Sequence, residues 1–311
     1  MRKDVTVIFA TLCGAALAGV LAAGCTQGGP TLVGQFGSEG TGAGQFQYIE
    51  DVDLDGQGNI YVVDKNLASV QVFRPDGKLL RTIGGKFLFQ VPEGLAVDRE
   101  GNVVVTDFGS SEVFKFSSSG KLLWRKRGKA GAEFRHPELI DVDDDGAIYV
   151  TDSGSNRIQV LDRNGSPVRM FGREGSGPGE FNNPENVAID GERRVIYVVD
   201  YGNNRIQKFD LQGAFLAQWG GLGTERGKFQ KPIGIAVDRT SGRVYVAEAG
   251  QGRIQVFSGD GAFIESFGSS GSGRGEFKNL HGIALDPQGV LYVGNTGNNR
   301  IQMFRIARNR E

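Results

Sequence analysis

The sequence predicts an all-β protein: a six-bladed β-propeller of four-stranded antiparallel blades, with the sixth blade closed by the N-terminal strand. Three observations predict it. One short pattern recurs six times, in which an aromatic-anchored strand ends in Asp, Glu or Asn and an aliphatic residue opens the next strand six positions later. The pairs are Asp64 with Val70, Asp107 with Val113, Asp152 with Ile158, Asp200 with Ile206, Glu248 with Ile254 and Asn295 with Ile301. The copies follow one another at intervals of 43 to 48 residues, a period that marks a radial array of multi-stranded blades. The last copy lacks a fourth strand, and a matching segment stands at the other end of the chain.

The fifth copy shows how a blade is written. Ile233-Gly-Ile-Ala-Val-Asp238 reads as a strand and Arg239-Thr-Ser-Gly242 as a turn. Val244-Tyr-Val-Ala-Glu248 is the second strand and Arg253-Ile-Gln-Val-Phe257 the third. A Gly-Asp-Gly turn leads to the fourth, Ala262-Phe-Ile-Glu-Ser-Phe267. Strands at this spacing, with Gly and Asp in the turns, make an antiparallel meander whose two faces can each pack on a neighbour. Thr31-Leu-Val-Gly-Gln-Phe-Gly37 aligns residue for residue with Ala262 to Gly268. It therefore completes the sixth blade and leaves no open edge. Expected blades span about 38–84, 85–127, 128–172, 173–220, 221–268, and 269–307 together with 31–37, within a propeller domain of 31–311.

The first residues belong to something else. Arg2 and Lys3 precede an Ala- and Gly-rich apolar stretch from Val5 to Ala23, followed by small residues and Cys25. This order reads as an export signal over 1–24, then a short tether over 25–30. Leu21-Ala-Ala-Gly-Cys25 resembles a bacterial lipobox, with its large aliphatic residue one position further from the Cys. The resemblance implies lipidation at Cys25 and an exported membrane lipoprotein, and Thr26 in place of Asp implies the outer membrane or cell surface. A retained membrane helix is the alternative, because the apolar stretch is just long enough to span, although Ala and Gly make a weak anchor. With Cys13 removed, Cys25 stands alone and no internal disulfide forms, so the domain rests on its core. A formal net charge of −1 leaves no electrostatic footprint for nucleic acid.

The combined motifs resemble NHL repeats, as in Gly179-Glu-Phe181-Asn-Asn-Pro184, Tyr197-Val-Val-Asp200 and Asn204-Arg-Ile-Gln-Lys-Phe209. Copies three to six fit closely, whereas the first two carry Ser69 and Glu112 where the pattern has Arg. The resemblance covers 31–307 and implies a propeller. It does not imply one function, because such propellers act as receptors, scaffolds, RNA binders and enzymes.

Strand direction puts the loops before each first strand and after each second strand on one face, called here the upper face. The six residues that open the innermost strands there are Glu50, Glu93, Glu138, Glu185, Ile233 and His281. Two carboxylates about 6 Å apart at an effective dielectric of 20 repel by roughly 3 kcal/mol. Such a ring must share protons, recruit cations, remain hydrated or hold an ion. Oxygen donors suit Ca²⁺ or another divalent cation, with Asn186 as a further donor. The alternative is a hydrated acidic funnel whose carboxylates accept backbone N–H groups.

Other motifs are weaker. Asp51 to Gly56 and Asp141 to Gly146 mimic an EF-hand loop, but Asp55 and Asp143 hold the same turn-opening slot as Asp98, Asp238 and Asp286. What remains unusual is Asp53 and Asp141 where other copies have Ala, further candidates for calcium or an extra polar contact. Arg157, Arg205, Arg253 and Arg300 recur after an Asp, Glu or Asn and are expected to pair within the blade. Trp124-Arg-Lys-Arg127 is the one basic–aromatic cluster, and Trp124 is expected to face outward. A three-His zinc site like that of the amidating-lyase propellers cannot be built from His136 and His281 alone. Gluconolactonase-like propellers with axial Ca²⁺ offer the better enzyme analogy.

The sequence therefore favours a lipid-anchored extracytoplasmic binding or scaffold propeller, non-enzymatic, that presents its loops and acidic mouth to a protein or small ligand. The alternative is a metal-dependent, Ca-type hydrolase or lactonase acting at that mouth. No cofactor beyond such a cation is expected, and no nucleic acid.

Overall fold

The computed structural model describes residues 29–307; the expected signal segment, Cys25 and the chain's last residues lie outside them. Six four-stranded antiparallel sheets form the blades of a propeller. In blade 5 the strands run Pro232–Asp238, Arg243–Glu248, Arg253–Phe257 and Phe263–Phe267, from the axis outward. The two central strands are buried almost throughout, while the outermost alternates half-buried and exposed positions. That gradient follows from geometry, since only the rim of a blade meets water on its outer edge.

Both faces of each blade pack. Tyr197, Val199 and Ile206 of blade 4 share one cluster with Ile235, Val244 and Val246 of blade 5. Equivalent clusters fill the other seams. The buried Phe three positions before each innermost strand supports the turn that enters its blade. Phe89 lies beneath Gly84, whose φ of 88° favours Gly and whose missing Cβ would collide with the Phe89 ring. Phe277 lies beneath Gly268 in the same way.

The Asp that opens each hairpin turn caps it. Asp55 accepts from the backbone N–H groups of Gln57 and Asn59, both at 2.9 Å. Asp143 does so from Asp145 and Ala147 at 3.0 and 2.8 Å. These are hairpin caps of the Asx type.

The motif residue at the end of each second strand ties that blade to its own incoming loop. Asp200 accepts from Asn182 N at 2.8 Å, Arg205 Nε at 2.7 Å, Asn203 Nδ2 at 2.9 Å and Gln207 Nε2 at 3.1 Å. Arg157 and Arg253 pair likewise with Asp152 and Glu248 at 2.6 and 2.9 Å. Arg300 departs from the expected pairing within the motif. Its upstream partner is the uncharged Asn295, and it donates instead to the carbonyls of Ser272 and Gly273 at 2.9 and 2.5 Å.

Thr31–Phe36 pairs antiparallel with Arg300–Arg305 as the outer strand of blade 6, placing Leu32 opposite Phe304 and Phe36 opposite Ile301. The ring is closed by sheet hydrogen bonds. Trp124 differs from its expected outward position. It is half-buried at the seam between blades 2 and 3 and rests on Gly165 of the neighbouring blade, because the outer strand twists its ring over the next turn. Among the described residues no helix is long and apolar enough to cross a membrane.

Candidate functional site

Every innermost strand carries one extra residue near its upper end. The register shifts between Ile49 and Asp51, Pro92 and Leu95, Pro137 and Ile140, Pro184 and Asn186, Pro232 and Ile235, and Leu280 and Ile283. These are β-bulges, which re-aim side chains next to the point where pairing stops. Each bulge holds one of the six ring positions, Glu50, Glu93, Glu138, Glu185, Ile233 and His281.

Side-chain hydroxyls hold the bulges to the next blade. Thr106 Oγ1 accepts from Gly94 N at 2.8 Å and donates to the Glu138 carbonyl. Thr151 Oγ1 lies 2.8 Å from the Leu139 carbonyl and 3.1 Å from that of Glu185. Thr296 donates to the Ile49 carbonyl at 2.6 Å, across the seam where the ring closes. The ring residues thus stand on a stiff, cross-braced frame.

The structure brings Glu50, Glu93 and His281 together around a residue that the sequence reading missed. Lys65, directly after the motif residue Asp64, places Nζ 2.5 Å from Glu50 Oε1 and 3.3 Å from Glu93 Oε1. It also lies 4.7 Å from the centre of the Tyr48 ring. On the other side of Glu50, His281 Nδ1 comes within 2.7 Å of Oε2, while Nε2 faces the Tyr48 hydroxyl and Asn279 Nδ2, each at 3.4 Å. The signal for Lys65 was present in the alignment of copies, since the same slot holds Phe108, Ser153, Tyr201, Ala249 and Thr296. Only the fold shows that this slot overhangs the axis.

Electrostatics divide the ring. Burial works against the Glu50 carboxylate, but His281 and then Lys65 outweigh it and hold its pKa below the usual value. Burial likewise opposes the Lys65 ammonium, and Glu50 and Glu93 more than compensate. Glu93 is pushed up by burial, then by Glu50 and Glu138. Glu138 is raised well above the usual range by burial and by Glu185 and Glu50. Burial raises Glu185 to about 7, with His281 opposing the rise. Glu138 and Glu185 make no ion pair among the described residues, so the mouth is neutralised on one side and bare on the other.

The remaining candidates lie elsewhere. Asn186 accepts from Val187 N at 2.7 Å and lines the axial cavity beneath the ring. Asp53 accepts from Val97 N of blade 2, and Asp141 from Ile189 N of blade 4, each at 2.7 Å. Both therefore stitch neighbouring inner strands together at the lower end of the axis. Asp51, read in the sequence only as the start of an EF-hand-like stretch, does the same with Leu95 N at 3.0 Å. Its carboxylate leaves room only for Gly at position 282, where a Cβ would collide with it. His136 stacks on Phe108 with ring centroids 4.4 Å apart. Among the described residues no group of three or more His, Cys, Asp or Glu side chains is arranged to hold a metal ion.

A model of the NHL repeat matches residues 89–116, 229–257 and 277–304, in blades 2, 5 and 6. A family described as a 6-bladed beta-propeller matches residues 127–219, which contain blades 3 and 4. Among solved structures, a gluconolactonase from Xanthomonas campestris aligns with a TM-score of 0.67 at 18% identity, over 95% of this chain and 100% of that one. Virginiamycin B lyase from Staphylococcus aureus gives 0.59 at 15% identity, over 84% and 96%. A Bacteroides thetaiotaomicron protein of unknown function gives 0.68 at 14% identity, over 90% and 76%. No match is found among curated proteins. At these identities the likeness concerns the fold, which hosts many chemistries. The chain is a six-bladed β-propeller that carries NHL repeats.

Proposed function

We propose that the protein is an exported, lipid-anchored binding propeller that receives a cationic group of a protein or small ligand at its upper axial mouth. The observation that carries this reading is the uneven neutralisation of the ring. Lys65 and His281 satisfy Glu50, and Lys65 reaches Glu93, whereas Glu138 and Glu185 have no ion pair among the described residues. A ligand cation entering there removes their repulsion, which is a differential interaction that the empty protein lacks. The lipid anchor is supported by the basic, apolar and small-residue order that ends at Cys25.

Melting of the full chain is followed with guanidinium, with an arginine-rich peptide, and with Ca²⁺, Mg²⁺, Mn²⁺ and Zn²⁺. The organic cations are expected to raise the midpoint by mass action, and a Glu138→Gln/Glu185→Gln variant is expected to lose that response. Stabilisation by Ca²⁺ alone would favour the metal-dependent hydrolase or lactonase. No response to any cation would overturn the cationic ligand. Cys25→Ser should abolish acyl labelling and release the protein from membranes; unchanged fractionation would refute the anchor.

A further inference from the structure

The place where the chain enters the propeller limits which side of it a lipid anchor can hold. Thr31 opens the outer strand of blade 6 opposite Arg305, and Arg305 pairs in turn with Val290, beside the hairpin turn of the lower face. Gly29 lies at the rim between blades 6 and 5, where a Cβ would stand 3.6 Å from Glu265 Oε2. The chain therefore arrives at the lower, outer edge of the molecule, whereas the Glu ring stands at the upper end of the axis.

Lengths turn this placement into a constraint. Cys25-Thr-Gln-Gly-Gly29 is a short, Gly-rich segment. It spans at most about 14 Å when fully extended and about 11 Å as a flexible chain. From Thr31 the mouth lies three strand spacings inward, about 14 Å, and one strand length upward, about 17 Å. The direct line runs through the packed sheets of blade 6, so a path over the surface is longer still. A bilayer laid across the mouth would also have to clear the loops that enter the blades. An acyl chain on Cys25 can thus enter a bilayer that touches the rim or the lower face, but not one that covers the upper face.

We infer that the mouth opens away from the membrane that carries the protein, so its ligand is a dissolved cationic group and not an amine headgroup of the lipids beneath the molecule. This rests on the Cys25 anchor and the cationic ligand proposed above. Headgroup amines share the chemistry of that ligand, and geometry separates the two sources. The rim or lower face is the surface that meets the bilayer, and the acidic mouth meets the aqueous compartment.

The test uses the anchored protein purified from membranes and reconstituted in vesicles of a neutral galactolipid. A fluorescent residue replaces either Ile264, exposed on the outer strand of blade 5, or Phe87, exposed on the upper loop that enters blade 2. A lipid with a nitroxide on its headgroup should quench the fluorophore at 264 and leave that at 87 unchanged. Quenching at 87 would overturn the orientation. Adding phosphatidylethanolamine to the vesicles should leave the affinity for the arginine-rich peptide unchanged; a loss of affinity would show headgroup amines at the mouth and overturn the inference. Failure of the readings beneath it is visible separately. A peptide that does not bind even in detergent removes the cationic ligand, while the quenching still decides the orientation. If acyl labelling finds Cys25 unmodified, the natural anchor is refuted, and a Cys13→Ser chain coupled at Cys25 to a maleimide-bearing lipid gives the same quenching comparison.

Discussion

Glu50 on the first blade and His281 on the last meet with 2.7 Å between Oε2 and Nδ1, so the seam that closes the ring passes through the axial mouth. The other Glu50 oxygen holds Lys65 at 2.5 Å. One carboxylate thus joins a strand opening, a loop and the far end of the chain. The ring that appears in the sequence as a set of like charges is, on this side, a bonded network.

Glu50→Gln should therefore destabilise the protein, by about 3 kcal/mol, because it leaves the Lys65 and His281 side without its central anion. Urea unfolding at neutral pH measures the loss. Glu50 has a folded pKa below its unfolded value, so its contribution is fully present above the unfolded value and fades as pH falls through the folded one. The difference between parent and variant should shrink on acidification below about pH 4. A difference that stays constant would assign the loss to packing rather than charge.

Glu138 and Glu185 carry the opposite sign. Their folded pKa values are raised, so the folded state retains protons that the unfolded state releases, and stability falls as pH rises between the unfolded and folded values. Glu138→Gln/Glu185→Gln should be more stable than the parent near pH 8, by about 1–2 kcal/mol, and equal to it near pH 4. Melting midpoints of both proteins across that interval decide the matter; parallel curves would sink the assignment.

Asp200→Ala removes the acceptor of Arg205, which is itself only 7% exposed, together with the bonds from Asn182, Asn203 and Gln207. An uncompensated buried guanidinium costs about 3–5 kcal/mol. Chemical denaturation should show a loss of that order, while the equivalent change at Asp107, whose blade lacks the Arg, should cost less. Equal losses at the two positions would show that the Arg contributes little.

Deleting residues 31–37 strips the outer strand from blade 6 and bares Ile301, Met303 and Phe304 along an unpaired edge. Aggregation or a large fall in the melting temperature is the expected result. A truncated protein that melts like the parent would show that the ring does not need this strand.

The repeat by itself determined the number of blades, their strand order, the circular closure, the Asp-capped turns and most Arg–carboxylate pairs. All of these rest on contacts within one copy or on the equivalence of copies, and hydrogen-bond register propagates such contacts along adjacent strands. The axis was decided otherwise. Lys65 and the bulges beneath the Glu ring stand at the axial ends of their blades, and the bridges from Asp51, Asp53 and Asp141 and the axial cavity lie between blades. Their partners stand from 15 residues apart, for Lys65 and Glu50, to 48, for Asp141 and Ile189, and which of them meet is set by the twist and radial packing of the sheets. A period in sequence aligns equivalent positions, but it cannot say which of them overhang the same axis; side chains from separate blades meet there only once the sheets have packed.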